Sequence, residues 1–538
     1  MVNRYSSLCA ALLLLSAGTS VAADAPPVLA AWSQITGETD PTKAASLTAP
    51  GAEFRFIIAQ GGDCGAFSVA FDTASMQNQP ASSAPTTRSG DALAIAVCSL
   101  TMGADWVQAH LLYQGQPATL SSQINTGSYV KDGIFYADRH HKTVAPWTAG
   151  PSNGQAVSVK GPASIGQDGE LTLVSLGDTG CRGIPDPKKP TSRHNQACES
   201  SDGSDPWPLA WLAGASANLQ PDLVIHVGDY RYFFEKNDYT SWPFWQKDFF
   251  PAAQPLLLAA PWVFTRGNHE GCPGADLPYG AGYFQLFGSN AGESCGAVQS
   301  SGSPPARQYM MPWYFDVATG GLGSGEPHRF VMIDVNTDFA TADITQATTD
   351  FETGMTITAA GPASNWWVMH TPGVQAVYYG GAVNNGDTGV RQALEAATEL
   401  QFCGTPAAPT PCRPSQFLMG HQHLFQTLTF ADTDGGWLFP RMVIVGNSGT
   451  KIDQASPSPG GQGGCAYTFP NVKITGASSD LEAAVFTESQ HGLVVWTRTN
   501  SPADPSGWTP EYLWAGNTTL QPWQPVPPIA KLPACLGQ

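Results

Sequence analysis

The chain has 538 residues, with 25 Lys and Arg against 43 Asp and Glu and a formal net charge of −18. Such an excess of acid offers no basic face for a polyanionic backbone, so no nucleic-acid polymer is expected as a partner. Charged residues make up only 13%, about half the usual ~25%, while 57 Gly and 44 Pro predict a loop-rich protein with much β structure.

Residues 1–23 carry the three parts of a secretory signal: Arg4 in a short basic start, an apolar centre at 8–15 and small residues at 20–23. This predicts a secreted or periplasmic protein. The apolar centre is shorter than the ~20 residues a membrane helix needs, and no later window reaches that length, so no membrane anchor is expected. Of eleven cysteines, Cys9 leaves with the signal, and the even remainder fits an oxidising compartment. Proximity along the chain suggests Cys64 with Cys98, Cys181 with Cys198, Cys272 with Cys295, Cys403 with Cys412, and Cys465 with Cys535. Zinc ligation by cysteine is disfavoured, because no Cys-x-x-Cys pair occurs.

From 24 to 165 short apolar runs at 54–59, 67–71, 93–100, 106–113 and 156–159 alternate with turn residues, which predicts a small β-rich domain built as an antiparallel sandwich. The Pro-, Ser- and Thr-rich stretch 77–90 reads as a loop. His110, His140 and His141 have no acid or ligand cluster around them and read as surface histidines.

From 166 to 515 strands and helices alternate. Strands are predicted at 171–176, 223–227, 262–265, 330–335, 366–369, 417–419, 442–445 and 493–497, and helices at 206–219, 241–260 and 388–400. This alternation argues for α/β layering, and no repeat of 20 to 50 residues points to a solenoid or propeller. The tail 516–538 is proline-rich and reads as extended, pinned by Cys535.

Five of these strands end in polar residues of one kind: GDTG (177–180), GDYRY (228–232), GNHE (267–270), MH (369–370) and GHQH (420–423). In α/β sheets the carboxyl ends of strands line a common crevice, so the five ends can meet. Asp, Asn, Tyr and His supply carboxylate, amide, phenolate and imidazole donors, a set that suits hard and borderline cations. No Gly-x-Ser-x-Gly elbow marks a serine nucleophile. Each motif alone would read as a solvated turn after a strand; together, in this order, they read as one metal site. His421 and His423 stand two apart, which places both on one face of an extended segment.

The ordered set resembles the calcineurin-like metallophosphoesterases, and its tyrosine variant is similar to purple acid phosphatases. The resemblance covers roughly 171–499. It implies an α/β layered metallophosphoesterase sandwich, two β-sheets flanked by helices, with the small β-rich domain before it. It implies that Asp178, Tyr232 and His423 hold a first metal, that Asn268, His370 and His421 hold a second, and that Asp229 bridges them. Many relatives have a histidine ligand at the end of the first motif; here Gly180 stands there and Tyr232 takes its place. An ionised phenolate implies Fe(III) at the first site and a divalent ion, Zn, Fe or Mn, at the second. Against Asp178, Asp229 and the phenolate these leave about +2, which attracts a phosphate despite the acidic surface.

The implied activity is hydrolysis of small phosphate monoesters by a metal-activated hydroxide. The same site would serve a phosphodiesterase or nucleotidase, and the reading from a different class is a secreted binding protein on this scaffold. His269 resembles the family's second-shell histidine and is expected to contact phosphate and protonate the leaving group. Two departures stand out. Trp367 occupies the valine position of the fourth motif, and where purple acid phosphatases often carry a further phosphate-contacting histidine, about ten residues past His370, residues 377–381 offer only Tyr378 and Tyr379. The insert 180–206 is expected to wall the pocket. His226 reads as a core residue, His194 and His328 as surface residues. Tyr230 and the segment 231–234 compete with Tyr232 as simple aromatic packing, and Glu270 either orients His269 or caps the turn.

Overall fold

The computed structural model describes residues 27–73, 79–80, 83–88, 93–121, 134–137, 144–147, 156–182, 196, 207–232, 242–272, 280–289, 295, 310–320, 325–335, 341–379, 382–384, 386–401, 404–405, 408–409, 414–430, 440–452, 464–469, 481–499, 507–515, 520–522 and 531–535. The expected signal, His140, His141, His194 and most of the insert 180–206 lie outside them.

The apolar runs at strand length form two large sheets. In the first, Glu170–Leu176, Leu223–His226, Pro261–Phe264 and Val28–Thr36 run parallel side by side at the centre. Gly492–Thr499 and Trp508–Trp514 extend one flank antiparallel, and Gly51–Ala59 and Ile95–Met102 extend the other. In the second sheet His328–Met332, Ser364–Val368, Gln416–Met419 and Arg441–Val445 are the parallel centre. Parallel neighbours need a crossover, and helices follow Glu170–Leu176, Leu223–His226, His328–Met332 and Ser364–Val368 in the chain.

Alternation along each strand separates the layers. Leu171, Leu173, Leu223, Ile225 and Val227 of the first sheet meet Phe330, Trp366, Val368, Leu418 and Val443 of the second in one core. Val174, Leu176 and Phe264 face the other way, onto helices α1 (Leu209–Asn218), α3 (Phe250–Ala259) and α4 (Gly280–Phe287), with α2 (Trp242–Asp248) against the same layer. Trp367 and Met369 point away from Trp366, onto α5 (Thr341–Ala360) and α6 (Thr388–Gln401). The result is the expected sandwich of two sheets flanked by helices.

The β-rich N-terminal region is present, and its main sheet continues across residue 165. Ser33 and Gln34 register with Pro261 and Trp262 as parallel partners, so Val28–Thr36 is a strand of the first sheet rather than of a detached one. Phe67–Thr73, Trp106–Tyr113 and Ser158–Lys160 form a second antiparallel sheet whose Phe67, Val69 and Leu111 share a core with Phe54, Phe56 and Ile58. The expected small sandwich thus borrows one layer from the large sheet. Arg55, fully buried, donates to the carbonyls of Leu286 and Gly288 at 2.7 Å each and ties this region to α4.

Helix α5 was not among the expected helices. Its many threonines lower helix propensity, and Thr348, Thr349, Thr353 and Thr356 direct their hydroxyls to carbonyls four residues back, so tertiary packing carries the helix. Cys64–Cys98, Cys272–Cys295 and Cys465–Cys535 are disulfides as expected, the last pinning the tail. Cys181 is also disulfide-bonded, while Cys198, Cys403 and Cys412 lie outside the described residues. Among the described residues no helix is long and apolar enough to cross a membrane.

Candidate metal centre

The site is built where the parallel strands of both sheets end. Glu170–Leu176 delivers Asp178, Leu223–His226 delivers Asp229, Pro261–Phe264 delivers Asn268, Ser364–Val368 delivers His370 and Gln416–Met419 delivers His421. Asp178, Asp229 and His421 have φ of 53°, 60° and 73°, the left-handed region that side chains rarely adopt and that costs of order 1–3 kcal/mol per residue. Three such residues at one place, each turning a polar side chain into the same crevice, mark a site whose surroundings hold it against that cost. A Cβ on Gly267 would come within 2.1 Å of Asp229 Oδ1, so glycine is required for the third loop to pass the Asp229 carboxylate.

Two donor clusters result. Tyr232 Oη lies 2.8 Å from Asp178 Oδ1, 2.7 Å from Asp229 Oδ2 and 2.9 Å from His423 Nε2. Asn268 Oδ1 lies 3.0 Å from His370 Nε2 and 2.9 Å from His421 Nδ1, and His370 Nε2 lies 3.3 Å from Asp229 Oδ2. Asp229 Oδ2 therefore borders both. Donor atoms of Asp229, His370 and His421 fall within 4.8 Å of one another.

These clusters fit cations. One phenolic proton cannot serve Asp178 Oδ1 and Asp229 Oδ2 together as ionised carboxylates. In the second cluster, His370 Nδ1 donates to the Val227 carbonyl at 2.7 Å, which leaves Nε2 as a lone pair facing the Asn268 carbonyl oxygen in the neutral ring. Burial opposes a charge on His370, yet Asp229 and Asp178 raise it to about 9, so a proton sits where a metal would. Burial raises Asp178 well above the carboxylate range, with the Asp229 charge adding to the rise. Burial and the two carboxylates push the Tyr232 phenol well up, so only a cation beside it would ionise it.

Outer contacts fix these ligands. Glu270 accepts from the backbone N–H groups of Gly267 and Asp229 at 3.0 Å and of Tyr230 at 2.9 Å. It caps the turn and joins two loops, which settles the choice left open by the sequence. The His421 N–H donates to Asp178 Oδ2 at 2.9 Å, the His269 N–H to Asp229 Oδ1 at 2.9 Å, and the Tyr232 N–H to Asp248 at 3.0 Å.

Residues 172–376 match the family model for calcineurin-like phosphoesterases. That stretch is a calcineurin-like phosphoesterase domain. No curated protein matches it by sequence. Solved structures similar to it include a purple acid phosphatase, PPD1, from yellow lupin (Lupinus luteus) seeds, at 11% identity and TM-score 0.49, covering 92% of this chain and 74% of that one. PhoD overlaps at 11% identity and TM-score 0.43, covering 94% and 93%, and GAP50 of Plasmodium at 12% and 0.32, covering 66% and 90%. Overlaps at this level say nothing about activity. The phosphoesterase match includes Asp178, Asp229, Tyr232, Asn268, His269 and His370, with His421 and His423 beyond it, and the family implies a dinuclear metal site and a metal-dependent phosphoesterase.

All seven expected ligands come together, and His269 packs at 4.0 Å between ring centroids on Tyr232. Tyr230 turns away: its hydroxyl donates to the Thr265 carbonyl and its ring packs on His226, so the competing packing role falls to Tyr230. His226 is buried as expected. His110 pairs with Asp72 at 3.1 Å. His328 corrects the expectation of a surface residue: it is fully buried among Phe330, Trp366 and Trp508, bonded to Ser364, because its strand lies inside the second sheet. The sequence reading missed Arg182, whose guanidinium stands 4.9 Å over the Tyr232 ring. Its adjacency to the first motif was the available signal. Gly180 could not carry the alternative histidine in this loop, since a Cβ there would meet Tyr230 O at 2.6 Å and Tyr232 N at 2.7 Å.

Proposed function

We propose that this phosphoesterase is an exported binuclear-metal hydrolase of phosphate monoesters. The observation that carries the reading is Asp229 Oδ2 standing between two donor clusters, 2.7 Å from Tyr232 Oη and 3.3 Å from His370 Nε2. Asp178, Tyr232, His423 and Asp229 would hold Fe(III), and Asn268, His370, His421 and Asp229 a divalent ion. When bound, the ions supply a hydroxide at neutral pH and charge stabilisation for in-line displacement, with no covalent enzyme intermediate.

The chain's own residues do the rest. His370 keeps Nε2 toward the site by donating Nδ1–H to Val227, and Glu270 holds the Asp229 and Asn268 loops together. Burial lowers His269 to about 4, so its imidazole is neutral before substrate arrives. A phosphate beside it raises its proton affinity, and the imidazolium then protonates the leaving-group oxygen. Paired cysteines support export to an oxidising compartment.

Hydrolysis of p-nitrophenyl phosphate and of its bis ester by protein of measured metal content tests this. Faster turnover of the monoester is expected. Turnover of the bis ester alone would make the protein a diesterase, and two bound metals without turnover of any ester would make it a binding protein.

A further inference from the structure

Arg182 lies four residues beyond Asp178 at the edge of the first donor cluster. Its Nη2 is 3.5 Å from His423 Nδ1 and its guanidinium carbon is 4.9 Å from the Tyr232 ring centre, the ring on which His269 packs. Its Nε is buried and has no hydrogen-bond partner, and among the described residues no carboxylate pairs with it. Its backbone is locked. The Arg182 N–H donates to Gln196 Oε1 at 3.0 Å, the Gln196 N–H returns to the Arg182 carbonyl at 2.8 Å, and Gln196 Nε2 donates to the Gly449 carbonyl at 2.9 Å. Gln196 is itself buried.

In a chain with 43 acidic residues, a part-buried arginine without an acidic partner among the described residues is unusual, because a desolvated guanidinium needs an anion. Its planar fork matches two oxygens of one phosphoryl group, a geometry a point charge does not reproduce. Residues 377–381 contain no histidine to fill that role. We infer that Arg182 grips terminal oxygens of the substrate phosphoryl group and thereby favours monoesters, whose phosphate is a dianion where that of a diester is a monoanion. The inference rests on the phosphoesterase reading above and adds a substrate-binding residue and its selectivity.

The test uses holoprotein, p-nitrophenyl phosphate, its bis ester, and inorganic phosphate as inhibitor. In Arg182→Ala both metals stay, and inhibition by inorganic phosphate weakens about 10- to 100-fold, as for loss of a charge-assisted paired contact. The monoester-to-diester ratio of kcat/KM falls about tenfold or more, and Arg182→Lys regains part of both losses. Unchanged phosphate inhibition and an unchanged ratio, with metals retained, overturn the inference. If Arg182→Ala loses metal, Arg182→Gln is read in the same way; metal loss in both means that Arg182 serves the metal centre instead, which also overturns it. Should the wild-type holoprotein turn over no ester, the hydrolase reading fails separately, and phosphate binding by titration of wild type and variant still decides the role of Arg182.

Discussion

The phenolic oxygen of Tyr232 stands 2.7 Å from Oδ2 of Asp229, and both side chains are almost wholly buried. Tyrosine buried against carboxylate stays protonated, and here burial, Asp178 and Asp229 all push its proton affinity up. A cation reverses that balance, so the pair is poised to exchange one proton for a metal.

Purified ferric protein is therefore expected to absorb visible light through phenolate-to-iron charge transfer. Tyr232→Phe should bleach the band while the second cluster still takes up its ion. Iron-loaded protein with no such band would remove Tyr232 from the ligand set.

Glu270 accepts three backbone N–H groups inside the core. Replacing Glu270 with Ala leaves three buried donors without an acceptor, at about 1–3 kcal/mol each in the unrelaxed case. Thermal unfolding should shift down by several degrees and metal content should fall. A variant with wild-type melting and metal content would show that the two loops hold themselves.

Gly180 separates the tyrosine variant from the histidine one. Tyr230 O, Tyr232 N and Arg231 Cα all lie within 2.8 Å of the place where an added Cβ would stand, so Gly180→Ala must displace the segment that carries Tyr232. Overpacking of this kind costs about 1–3 kcal/mol. Lower stability and a weakened or shifted visible band are expected, and an unchanged spectrum would mean that the loop yields elsewhere.

His328 carries a pH dependence far from the metals. Burial holds it well below the ordinary histidine value, and the Arg498 charge acts in the same direction. A histidine whose folded pKa is depressed contributes stability above its unfolded value, ~6.5, and loses it as pH falls below that value, by up to ~1.4 kcal/mol per pH unit. His328→Gln cannot be protonated, so its stability should fall less steeply between pH 7 and pH 5, measured by denaturant unfolding. Parallel profiles for the two proteins would exclude His328 as a source of acid sensitivity.

The strand ends were legible because glycine followed by Asp, Asn or His after an apolar run combines a turn signal with ligand chemistry, as at Gly177–Asp178 and Gly420–His421. What could not be read was non-local. The parallel pairing of Ser33 with Pro261 depends on a partner more than two hundred positions away, and nothing in the local pattern of either strand names the other. Helix α5 hid behind threonines whose hydroxyls are satisfied within the helix. His328 looked like a surface residue because no motif surrounds it, and its burial comes from aromatic side chains on other strands. For Arg182 the sequence offers only its adjacency to the first motif; its meaning comes from Tyr232 and His423 arriving from elsewhere in the chain.

Among the described residues Asp229 alone borders both donor clusters, so metal analysis of the native protein beside Asp229→Asn tests the binuclear reading most directly. The native protein should carry two metal ions per chain, and the variant should lose most of both along with ester hydrolysis. Full retention of both metals and of the rate in Asp229→Asn would contradict a shared ligand at this position.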